Sequence, residues 1–74
     1  MNKVTMDMIR ARLDYLNAIS KGVMFRIGGA YGGHRLEREY ESGGCKGYTP
    51  YTNKRQLLNY INAFIDGIEF MKNI

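Results

Sequence analysis

Cysteine and proline occur once each, as Cys45 and Pro50, and seven acidic residues stand against eleven basic ones. A single thiol excludes an internal disulfide. With His34 as its lone companion it also falls short of the four ligands of a structural zinc site. The same scarcity argues against a secreted, disulfide-built scaffold and for a reducing cytosol. Long apolar runs are absent too. The longest uncharged stretch, 56–65, is about half of the ~20 residues that a membrane span needs. Asp7, Arg10, Arg12 and Asp14 arrive before any apolar run of the signal-peptide kind. The expectation is a soluble, cytoplasmic protein with no metal, no cofactor and no membrane partner.

Seventy-four residues make one domain, near the lower limit for a core that folds unaided. Chains this short usually need a disulfide, a metal or a partner chain. With the first two excluded, self-association is expected, as a homodimer seamed along the first strand, with Met24, Leu58, Ile65 and Met71 as candidate contacts. The formal charge of +4 is compatible with nucleic acid or another acidic partner.

What is present is clear periodicity. Thr5 suits the N-cap of a first helix, and Asp7 favours the positive end of its dipole. Met6, Ile9, Leu13, Leu16 and Ile19 recur three or four apart as one apolar stripe. Asp7, Arg10, Asp14, Asn17 and Lys21 form the polar side, with Arg10 and Asp14 spaced to pair, and Gly22 is a fitting stop. The period then changes to two. Val23, Phe25 and Ile27 alternate with Met24 and Arg26, and a second alternating run extends from His34 to Glu41. A type I′ turn at Gly32-Gly33 would join them, because both central positions of that turn need positive φ. That register sets Phe25 opposite Tyr40, Ile27 opposite Arg38 and Arg26 opposite Glu39, with the large apolar groups on one side.

A loop rich in glycine and tyrosine follows, with a short third strand around Lys46 to Thr49 left open. Thr52 then caps a second helix, in which Leu57, Ile61, Phe64, Ile68 and Met71 form a stripe flanked by Leu58 and Ile65. Gly67 costs about 1 kcal/mol against alanine in mid-helix. The expected class is α+β: an antiparallel hairpin with both helices packed on one face.

No catalytic constellation is legible. Gly28-Gly29-Ala30-Tyr31-Gly32-Gly33 precedes a strand and lacks dinucleotide-fingerprint spacing. Cys45 and His34 could form a nucleophile and base, and Lys46 would favour the thiolate. Nothing in the spacing brings them together, so no catalytic residue is assigned. Glu37, Glu39 and Glu41 lie two apart on the presumed solvent face, ~6.8 Å between neighbours. That row could bind a partner by occupying the basic groove of a nucleic-acid enzyme, or could simply block unwanted strand pairing. Lys46, Lys54 and Arg55, with Tyr48 and Tyr51, surround the start of the second helix. Free N–H groups, dipole and cations make this the best anion or nucleic-acid site in the chain.

The segments Gly32-Gly33-His34-Arg35-Leu36-Glu37-Arg38, Gly47-Tyr48, Thr52-Asn53-Lys54-Arg55-Gln56-Leu57-Leu58 and Gly67-Ile68-Glu69 resemble small accessory proteins of bacteriophages and prophages. His34 stands where that pattern has an aromatic residue, and Asn53 separates Thr52 from Lys54. The resemblance implies a phage-encoded protein in a bacterial cytoplasm that modulates host machinery. Blockers of CRISPR or other defence systems are one such class. A more distant likeness is to double-stranded RNA-binding domains, which are α-β-β-β-α with lysines at the start of the last helix. The leading expectation is a non-catalytic binding protein that inhibits or modulates a host protein, such as a CRISPR or other defence nuclease. The alternative is a nucleic-acid-binding regulator.

Overall fold

In the computed structural model, which describes residues 3–73, the chain runs α-β-β-β-α. Helices α1 (Met6–Ile19) and α2 (Lys54–Lys72) pack on one face of an antiparallel sheet of β1 (Met24–Ala30), β2 (Gly33–Glu39) and β3 (Cys45–Gly47), ordered β1-β2-β3. The α+β class expected from the pattern is present, and the third strand left open there is formed. It starts at Cys45 and stops before Thr49, because the Thr49 hydroxyl, rather than its backbone, accepts from the Leu36 N–H at 3.1 Å.

Each helix follows its own chemistry. Thr5 caps α1, its hydroxyl accepting from the Met8 N–H at 3.3 Å. Ile9 and Leu16 are fully buried, while Met6, Leu13 and Ile19 pack at the core's edge. Arg10 pairs with Asp7 at 3.6 Å instead of Asp14. The cap of α2 is Asn53, not Thr52: its Oδ1 accepts from the Gln56 N–H at 2.9 Å. The buried side of α2 is Leu57, Ile61 and Ile65. A row spaced by four winds around the helix, so Met71, expected on the apolar stripe, is 68% exposed.

The hairpin register differs from the expected one by two residues. Ile27 faces Leu36 and Arg26 faces Glu37, and the turn residues are Tyr31 (φ 53) and Gly32 (φ 71). A shift of two preserves the faces. Phe25 and Leu36 therefore still reach the core beside Ile9, Leu16, Leu57, Ile61 and Ile65. The reason lies at Gly33, which belongs to β2 and is crossed closely by the chain entering α2. A β-carbon there would meet the Thr52 carbonyl oxygen at 3.1 Å. Gly33 serves close approach rather than the turn.

Candidate functional site

The approach to α2 is tied to β2 by backbone bonds. His34 N–H donates to Thr52 C=O at 2.9 Å, and Thr52 N–H donates to His34 C=O at 2.7 Å. This lacing holds the hairpin tip beside the first turn of α2, while the segment preceding α1 supplies a third wall. Lys3, Val4, Gly32, His34, Asn53, Lys54 and Arg55 line the resulting cleft of about 640 Å³. Among the described residues, it holds three cationic side chains and no acidic one. The first turn of α2 carries no acid either, so the positive end of its dipole faces the cleft without a carboxylate to offset it.

The expected anion set is therefore divided. Lys54 and Arg55 line this cleft, and Lys3 and His34 join them. Lys46 lies on β3 opposite Arg38, with its ammonium 5.9 Å from the Tyr48 ring. Tyr48 turns its ring into a cluster with Phe25 and Phe64, at centroid distances of 6.0 Å to each. Tyr51 lies beneath the Arg35 guanidinium at 4.6 Å and meets Tyr31 edge-on at 5.4 Å. Lys3 is remote in sequence from Lys54, and no local spacing could have joined them. His34 is placed by the Thr52 bridge, which leaves no periodic signal.

The expected acidic row is not continuous. Glu37 is only 4% exposed, and its carboxylate rests over Gly28, where any β-carbon would collide with it. Arg35 Nε donates to Glu37 Oε2 at 2.7 Å, and Arg26 Nε stands 3.4 Å from Oε1. The bond from Arg35 is the main cause holding the Glu37 carboxyl below the usual carboxylate range. Glu39 and Glu41 are exposed, but Glu41 lies beyond the end of β2.

Nor do Cys45 and His34 meet. Cys45 is paired with Glu39 and His34 with Gly29, at opposite ends of β2. Five strand residues separate those positions, about 17 Å at ~3.4 Å per residue. Among the described residues, no three of the His, Cys, Asp and Glu side chains gather as metal ligands, and no helix is long and apolar enough to cross a membrane. No family model, no curated protein and no solved structure matches the chain.

Proposed function

We propose that the domain is a non-catalytic binding module that holds a nucleic-acid backbone in the cleft at the start of α2. The observation that carries this reading is the convergence of Lys3, Lys54 and Arg55 on one cleft at a helix N-terminus, with no acidic residue among its described lining. Phosphate suits that chemistry, since backbone N–H groups, dipole and side-chain cations act in one direction. The element order α-β-β-β-α, with cations opening the last helix, supports duplex RNA over other polyanions. Such backbone contacts are not sequence-specific, and their affinity depends on salt.

The test is anisotropy titration of a labelled RNA duplex across a salt series, with a DNA duplex alongside. Binding should weaken steeply with salt, and Lys3→Ala with Lys54→Ala should flatten the log–log slope by about 2, near 0.9 per lost phosphate contact. An unchanged slope in the double variant would refute the assignment. The competing proposal is a phage-encoded modulator of a host protein, such as a defence nuclease, acting through Glu37, Glu39 and Glu41. It retains only Glu39 and Glu41 as exposed carboxylates.

A further inference from the structure

We propose, building on the nucleic-acid reading of the cleft, that His34 makes its hold on a phosphate backbone depend on pH, the charged imidazole supplying a fourth cation. The chain has one histidine, and its place in the fold is fixed by main chain rather than by the ring. Both backbone groups of His34 are committed to Thr52, at 2.9 and 2.7 Å. The lacing of β2 to the approach of α2 therefore carries the ring to the cleft wall without using it.

Strand alternation gives the ring's direction. Leu36 is fully buried beneath the helices, so His34, two residues earlier on β2, projects from the same face of the sheet. It opposes Gly29 across the pair, and its Nδ1 lies 4.0 Å from where a β-carbon on Gly29 would stand. The half-buried residue lines both the cationic cleft and the neighbouring groove between α1 and β1.

The charges around the ring set the sign of the effect. On the cleft side are Lys3, from the segment preceding α1, and Lys54 and Arg55, from the first turn of α2. On the groove side α1 presents Arg10 and Asp14, and β1 presents Arg26. Among the described residues of these two linings, Asp14 is the one acid, and two arginines stand with it. The ion pairs of the described residues join Asp7 to Arg10 and Glu37 to Arg26 and Arg35, and none involves His34. A proton on the ring thus adds its charge to the cleft without a carboxylate of its own to offset it. A phosphate bound there favours that proton, because opposite charges a few ångström apart stabilise each other. Linkage makes the effect reciprocal: the proton strengthens phosphate binding by the same factor. An imidazole exchanges its proton between about pH 5 and 8, so affinity falls as pH rises through that window.

The test is anisotropy titration of a labelled, blunt RNA duplex across a salt series at about pH 8 and about pH 5.5, toward either end of the imidazole window. For the wild type the log–log slope should steepen by about 0.9 at the lower pH, one added phosphate contact. Affinity at equal salt should rise several-fold. His34→Gln should keep the shallower slope at both pH values, and His34→Lys the steeper one. Because the lacing is made by backbone groups, unchanged amide protection at Thr52 will show that each variant folds. A readout free of variants is the ring itself: at neutral pH, added RNA should move the proton resonances of the single histidine toward those of imidazolium. A wild-type slope indifferent to pH, a pH dependence that persists in His34→Gln, or ring resonances that ignore bound RNA would each overturn the proposal. RNA binding that Lys3→Ala with Lys54→Ala weakens but pH leaves unchanged would remove this inference alone. Absence of RNA binding at both pH values would remove the preceding proposal, and this one with it.

Discussion

Glu37 meets two arginines on the face of the sheet turned away from the helices. Two glycines make it possible. Gly28 lies under its carboxylate, and Gly47, its pair on β3, lies under the Arg35 guanidinium. Side chains at either position would evict a charged partner. Removing the charge while keeping the shape, with Glu37→Gln, leaves Arg26 and Arg35 short of a counterion. Because both arginines remain partly in water, the expected loss is about 1–3 kcal/mol at neutral pH. The pH dependence follows from the lowered carboxyl. A group ionised more readily when folded contributes its stability above the ordinary glutamate pKa, about 4.3, and loses it as pH falls through the lower folded value. Urea melts of wild type and Glu37→Gln should therefore differ at pH 7 and converge as pH falls through that lower folded value. A gap that persists in acid would assign the effect to packing instead.

The hairpin shows how an element can be right in kind and shifted in register. A Gly-Gly pair between two alternating runs is a good local turn signal, yet the chain turns at Tyr31-Gly32. Placing Tyr31 in the left-handed region carries a conformational cost of order 1 kcal/mol. The lacing of His34 to Thr52 and the pairing of Ile27 with Leu36 offset it. The two glycines are thereby separated in role. Gly32→Val should be destabilising through positive φ alone, since no atom lies near a β-carbon there. Gly33→Val should instead unseat the Thr52 backbone, loosening the start of α2. Amide exchange tells them apart: at His34 and Thr52, protection should fall in Gly33→Val well beyond the global loss and follow global stability in Gly32→Val. A common pattern in both variants would contradict this division.

Among the described residues, seven hydrophobic side chains are fully or nearly buried, and the helices are also joined by polar links. Arg12 Nε donates to Asn62 at 2.8 Å, Tyr15 bonds Glu69, and Lys72 donates to the Ile19 carbonyl at 3.0 Å. Chains of this size are expected to retain only ~3–5 kcal/mol from one core, so self-association remains the expected supplement. A surface open to a second copy is the end of α2, where Phe70 and Met71 are 67% and 68% exposed. Gly67 lies beside them with nothing near its β position. A two-fold antiparallel contact about this point sets Ile68 of each copy against Gly67 of the other and Phe64 against Met71. Melting should then depend on protein concentration, and Phe70→Ser with Met71→Ser should remove that dependence. A concentration-independent melt of the unaltered chain would show that the monomer suffices.

Local chemistry was enough to read both helices, their approximate ends, the two alternating strands and the sorting of their faces. Period and capping are properties of neighbouring residues. Thr5 and the stripe from Met6 to Ile19 are legible without a partner in view. The same reasoning located Lys54 and Arg55 at a helix start, because the dipole belongs to the helix alone. Long-range approach decided the rest. The register depended on where Thr52 crosses Gly33, and the burial of Glu37 depended on glycines on two other strands. The cleft needed Lys3 brought to Lys54, and the tie from α1 to β1 needed Asn17 turned from a polar stripe onto Phe25. Each of these joins residues far apart in sequence, whose meeting is set by packing free energy and leaves no period along the chain.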